Sequence, residues 1–361
     1  ERLVATTTVD KDSTFKLRLN VTDVEKLILK SKNNESFLFV QPNGNYSIFF
    51  PDRDKYDPYR PAGNNVEVAF FDLDSLDINY KMLSFQRWMD NFMGNNYYKS
   101  TTKPQEFIES LDRFKSNVEK AYKNDTSYYF KTHVRFSIAG LDNIHHVAER
   151  NRYEKYDFYL KKSPVEYSNE TYMEYTTAFY QKMLPRLSTE ANQAVYEGVL
   201  QSSPTRVMKA LGSEYTLSNL KLRELVMIQL LAEEYISGQF PETNILTILD
   251  SLGTRSLFKE HEEIAKNLKA RVTKLNPGGK APDFVLIEDG KPTKTIFNYE
   301  KRHIYIHFFD PESEQTSKEI PLIKQLNEMY GQYVQFISVY RKSELSEDAK
   351  KRITDIDWEV Y

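Results

Sequence analysis

Apolar and polar positions change rhythm twice along this chain. Up to about Phe71 they alternate with a period of two, the mark of strands with one buried face. Phe15-Lys16-Leu17-Arg18-Leu19 is the plainest case, and short apolar runs around Leu27, Phe37, Ile48 and Val68 follow it. Turn-forming residues separate these runs at Asp10-Lys11-Asp12-Ser13, Lys32-Asn33-Asn34 and Pro42-Asn43-Gly44-Asn45. Short strands at this spacing predict a small antiparallel β-sandwich over 1–72.

From about Ser75 the apolar positions return every three or four residues, as in Leu76, Tyr80, Leu83, Trp88 and Phe92. That period predicts amphipathic helices and a helical middle region over 73–274. Helices are expected at 128–148, 171–184, 190–201, 217–236 and 258–272. Asp74 or Ser75, then Thr189, Thr243 and Ser256, are the expected N-caps, and Gly198, Gly212, Gly238 and Gly253 the expected interruptions or ends.

Asn276-Pro277-Gly278-Gly279 then breaks the helical rhythm. Beyond it, 283–287 and 293–297 flank Asp289-Gly290, a hairpin signal. His303–Phe309 is nearly all apolar, as a strand in a covered sheet would be. A helix over 317–330, a strand over 334–339, a helix over 343–355 and a strand at Trp358 complete an α/β unit over 275–361. The fold class expected is therefore multidomain: sandwich, helices, then α/β.

Composition narrows the chemistry. The 361 residues include no cysteine, which excludes disulfides, thiolate metal sites and a cysteine nucleophile. A net charge of −3 gives no bulk attraction to nucleic acid, and none is expected as a partner. No apolar run approaches the ~20 residues of a membrane span. The chain opens at Glu1 without a methionine, which leads us to expect a removed signal or a missing first segment.

The segment Gly279-Lys280-Ala281-Pro282-Asp283-Phe284 resembles the entry of thioredoxin-like proteins of the TlpA and AhpC/TSA (peroxiredoxin-related) group. In that group a hairpin and a central strand follow, and the strand leads into a Cys-x-x-Cys-x-x-Glu-x-Pro motif. Phe308-Phe309-Asp310-Pro311-Glu312-Ser313-Glu314-Gln315-Thr316 and the trailing Glu319 and Pro321 fall into the same register. The resemblance thus sets Ser313 and Thr316 where the two redox cysteines stand, and Glu312 where tryptophan is usual. It covers 275–361 and implies a thioredoxin fold with a degenerate active site. It also implies a further hairpin carrying a cis-proline, which would lie beyond Tyr361, so the domain is expected to be incomplete there. The three-part layout is similar to that of Bacteroidetes envelope proteins. That likeness implies export to the periplasm or outer envelope, with a lipid anchor upstream.

A serine hydroxyl at position 313 stays protonated near neutrality and forms no disulfide, and nothing in the motif supplies it with a base. Thr316-x-x-Glu319 instead fits a helix capping box. The expected role is binding of a polypeptide or envelope partner, in a groove beside Phe309, Asp310 and Pro311. The alternative is an enzyme or ligand site in the helical middle, and no cofactor is expected in either case. His145 and Glu149 make a weak ligand pair, His303 and His307 lie roughly 13 Å apart along a strand, and no metal site is expected. The aromatic run Tyr153, Tyr156, Phe158, Tyr159, Tyr167, Tyr172, Tyr175, Phe179 and Tyr180 reads either as helix packing or as a recognition platform.

Overall fold

The computed structural model describes residues 3–31, 34–51, 66–144, 152–288, 291–299, 303–340 and 345–361. The chain falls into two units, Glu1–Lys269 and Ala270–Tyr361.

In the first unit the described residues from Leu3 to Val24 form no strand or helix, so the strand expected at Phe15–Leu19 is not formed. Strands β1 (Glu25–Ser31) and β2 (Asn34–Val40) pair antiparallel, and β3 (Ile48–Phe49) pairs with β4 (Ala69–Phe70). These are separate two-stranded ladders, so the expected sandwich is absent among the described residues. A single hairpin cannot bury its own face. This one gives its apolar side to helices α1 (Ile78–Asn96), α3 (Pro104–Tyr122) and α4 (Tyr128–Asp142): Val24 and Phe39 share a core with Ile78, Phe85, Val118 and Phe130. The buried Asn79 amide fixes the join. Its Oδ1 accepts from the Phe39 amide and its Nδ2 donates to the Phe39 carbonyl, both at 2.8 Å. The β segment is thereby part of the helical unit, and the boundary expected at 72/73 is no boundary in the core.

A short helix α2 (Lys99–Thr102) links α1 to α3. After α4 come α5 (Arg152–Lys155), a π-helical turn at Tyr156–Leu160, α6 (Glu170–Tyr180), α7 (Thr189–Leu200), α8 (Pro204–Leu211), α9 (Leu220–Ser237), α10 (Glu242–Arg255) and α11 (Lys259–Val272). The caps sit one to three residues from several expected positions. Asp77 caps α1 and Ser188 caps α7, while Pro241 precedes α10 without a side-chain cap. Helix α9 buries residues around most of its circumference and is the axis of this half. It stops at Gly238, whose left-handed φ of 70° lets its amide reach the Glu234 carbonyl. Gly198 is inside α7 because α8 crosses there: a Cβ would stand 3.0 Å from the Val207 amide nitrogen.

In the second unit β5 (Val285–Glu288) and β6 (Lys291–Thr295) form an antiparallel ladder; the Asp289-Gly290 turn lies outside the described residues. Then β7 (His303–Phe309), α12 (Glu314–Tyr330), β8 (Val334–Tyr340), α13 (Glu347–Thr354) and β9 (Glu359–Val360) make a parallel sheet of order β7-β8-β9. The sheet's two faces carry separate apolar cores. Leu286, Ile296 and Ile337 lie on one, and Phe309, Ile320 and Ile356 on the other. The mixed helix-and-sheet architecture expected from the sequence is observed. No described helix is long and apolar enough to cross a membrane.

Candidate functional site

The loop from β7 into α12 carries the residues that the sequence motif singles out. Ser313 is the N-cap of α12, its hydroxyl accepting from the Gln315 amide at 3.2 Å. Thr316, only 2% exposed, donates its hydroxyl to the Asp310 carbonyl at 2.6 Å. The expected Thr316–Glu319 capping box is therefore not formed. The helix starts three residues earlier, Ser313 takes the cap, and Thr316 is turned back into the loop. Glu312 accepts from the Ser346 amide and hydroxyl, both at 2.8 Å, which ties this loop to the N-cap of α13. Those bonds hold the Glu312 carboxyl below the usual carboxylate range. Arg352 donates to the Pro311 carbonyl at 2.7 Å. Phe309 and Pro311 are buried, and Asp310 is exposed with Oδ1 accepting from the Glu312 amide. Pro321 lies inside α12, which continues past it despite the lost amide donor.

Behind the loop stands a polar chain that the sequence did not point out. His307 is buried, its ring stacked on Phe309 at 5.0 Å. Its Nδ1 lies 3.2 Å from Ser338 Oγ and its Nε2 3.4 Å from Glu319. Trp358 Nε1 donates to the same serine oxygen at 2.8 Å. The order carboxylate–imidazole–hydroxyl has the composition of a hydrolytic triad, but Ser338 is fully buried in the central strand and no substrate carbonyl can reach it.

The aromatic run is mainly core. Tyr156, Tyr159, Tyr172, Tyr175, Phe179 and Tyr180 are buried, and Tyr153 and Phe158 are exposed. Tyr167 is intermediate and lines an open groove of about 630 Å³ with Lys26, Glu170, Met173, Glu174 and Ala178. The wall is mostly one face of α6, with β1 contributing Lys26, which pairs with Glu170. The Tyr167 hydroxyl lies 2.5 Å from Nε2 of the fully buried His261, whose Nδ1 is 2.8 Å from Glu224. Ser256 donates to the same Glu224 oxygen. Burial alone would raise the Glu224 carboxyl, but the His261 and Ser256 hydrogen bonds outweigh it and hold the group below its ordinary range. Burial first, then the charges of Glu260 and Glu224, push the Tyr167 phenol well above its ordinary value. A phenol that keeps its proton is no nucleophile, so this chain is a scaffold for the groove wall. Its one sequence signal is Glu224, a lone carboxylate inside the apolar run from Leu222 to Leu231.

The acidic stretch at Asp74 and Asp77 is spent on turn and cap bonds, Asp74 accepting from the Leu76 amide. His145 and Glu149 lie outside the described residues, and His303 is exposed on β7 while His307 is buried. No metal-holding cluster occurs among the described residues.

No protein-family model matches the chain, and no curated protein matches it significantly. Among solved structures, a thioredoxin-like protein from Bacteroides caccae is similar at 16% identity, over 60% of this chain and 78% of that one, with a TM-score of 0.27. A likeness of that size carries no argument.

Proposed function

We propose that the protein is a redox-inert, thioredoxin-like binding protein of the cell envelope, built to hold a polypeptide and not to exchange disulfides. The observation that carries this reading is the fate of positions 313 and 316. With no cysteine in the chain, both hydroxyls are consumed in capping and bracing the start of α12. A hairpin followed by β7-α12-β8-α13-β9, with the motif at the β7–α12 junction, supports a thioredoxin-like second unit. The open groove along α6 supports a binding role, because a chain laid across a surface needs no enclosed cavity. The envelope location rests alone on the resemblance carried by the order of strand-rich, helical and α/β segments in the sequence, since the structure merges the first two into one unit.

The test restores the chemistry. In S313C/T316C the two sulfurs lie at the helix start, where N–H groups favour a thiolate. The variant should form an internal disulfide and catalyse insulin reduction by dithiothreitol, while the parent does neither. Two cysteines that stay unpaired under oxidising conditions would refute the thioredoxin-like register. Crosslinking of the full chain in native envelope extract should capture a polypeptide, and fractionation to the cytosol would refute the location.

A further inference from the structure

The groove along α6 has a hydrogen-bonding polarity set from behind. Glu224, ionised and acceptor-only, fixes the His261 proton on Nδ1. With the imidazole neutral, Nε2 is the acceptor and the Tyr167 hydroxyl donates to it. What Tyr167 offers outward is a lone pair. Of the other polar groups, Glu170 and Glu174 are carboxylates one turn apart on α6, whereas Ser168, Thr177 and Gln181 can donate as well as accept. Lys26 neutralises Glu170. Glu174 has no ion-pair partner among the described residues and is exposed. Met173, Ala178 and the Tyr167 ring line the same groove, and the ring's face carries the Lys221 ammonium at 5.0 Å. Lys221 is itself engaged with Glu260. The groove therefore combines apolar side chains, two carboxylates and one uncompensated negative charge at Glu174.

We infer that this groove docks a basic stretch of polypeptide, with a lysine or arginine stem on Met173 and Ala178 and its cationic head at Glu174 and the Tyr167 oxygen. Lys26 on Glu170 is the internal precedent for the contact. An aliphatic stem with a charged tip covers apolar surface and keeps its charge at the rim. The site spans three turns of α6, roughly 16 Å, which is the reach of about five extended residues. It is also too open to enclose a small amine. The inference deepens the polypeptide-binding reading above and rests on it.

The experiment titrates the full chain into fluorescein-labelled (Lys-Ala)5, (Gln-Ala)5 and (Glu-Ala)5 peptides and reads anisotropy at low salt. The lysine peptide should bind best. Glu174→Gln, an exposed change that should leave the thermal transition in place, should weaken it about fivefold, the size of one solvent-accessible ion pair. Raising the salt should weaken it further. Tyr167→Phe, which keeps the ring and removes the oxygen, should also lower the affinity of a still-folded protein. Equal binding of the lysine and glutamine peptides would overturn the basic preference and leave polypeptide binding standing. Equal binding of the lysine peptide to E174Q would overturn the site, and displacement of it by spermidine at matched charge concentration would overturn the polypeptide as occupant. If no peptide binds while envelope crosslinking still captures a partner, this inference fails and the broader reading survives.

Discussion

Each unit contains a buried histidine held between a carboxylate and a hydroxyl, and the two are built very differently. In the first unit His261 is fully buried, with Glu224 at 2.8 Å on one nitrogen and Tyr167 at 2.5 Å on the other. In the second, His307 meets Ser338 at 3.2 Å and Glu319 at 3.4 Å, and the Glu319 side chain is 38% exposed. The same three chemical groups thus make a closed, desolvated network between helices and a loose, partly wet one beside a sheet. The energetic worth follows from solvent access: a buried partner left unpaired bears the whole desolvation cost, whereas water replaces an exposed one. The tight set around His261 holds the groove wall in place. The looser set around His307 fits beside a loop that is already braced by Ser313, Thr316 and Glu312.

That contrast can be broken by substitution, and the two tryptophans help, since Trp88 belongs to the first unit and Trp358 to the second. The largest effect should come from His261→Ala, which strands the Glu224 carboxylate in an apolar interior. Urea unfolding of the first unit should lose about 3–5 kcal/mol. A loss under about 1 kcal/mol would mean that the network is not desolvated, and Trp358 fluorescence in a W88F background should report little change.

The next effect is one of pH. Burial, opposed by Glu170 and assisted by Lys26, lowers His133 to about 4 from an ordinary 6.5. The unfolded chain therefore takes up this proton first, so the stability of the first unit should fall as pH drops from about 6.5 towards 4. The difference has an upper size of roughly 3 kcal/mol. Below about pH 4 this histidine contributes no further loss. His133→Gln should flatten that limb, and an unchanged slope would disprove the assignment.

Smaller again, Thr316→Val should cost the second unit about 1 kcal/mol through the lost hydroxyl bond to the Asp310 carbonyl, which keeps the Ser313 amide at 3.0 Å, and Ser313→Ala about 1 kcal/mol through the lost cap. Smallest of all, Glu319→Gln should change stability by less than about 1 kcal/mol, since its contact to His307 is long and partly in water. If E319Q proved as damaging as H261A, the distinction between the two networks would collapse.

How much of this is legible in the sequence depends on whether a signal is local. The α/β order of the second unit follows from the apolar run at 303–309 and the breaks around it, because strand burial and turn chemistry are read within a few residues. Helix α8 is harder to see. Its eight residues make little more than two turns, too few for a period to stand out beside the polar Ser202-Ser203 break. Helix α10 announces itself only near Thr243, and even there the cap position falls to Pro241. The expected β-sandwich fails for a different reason. Alternation at Phe15–Leu19 and around Phe37 reports only that one face wants cover, and it does not say whether a second sheet or a helix supplies it. Around Phe37 the Asn79 amide and the α1 core supply it.

The sequence by itself determined the absence of thiol chemistry, the succession of strand-rich, helical and α/β segments, and the position of the β7–α12 junction. All of these depend on residue identity or on periods of two to four residues. Tertiary structure alone decided that the hairpin joins the helices, that Ser313 and not Thr316 caps α12, and that Tyr167, His261 and Glu224 meet. Tyr167 and His261 are 94 positions apart in the chain, and His261 and Glu224 are 37 apart. Their contact depends on how α9 and α11 pack, and packing is a property of the whole fold that no short window of sequence contains.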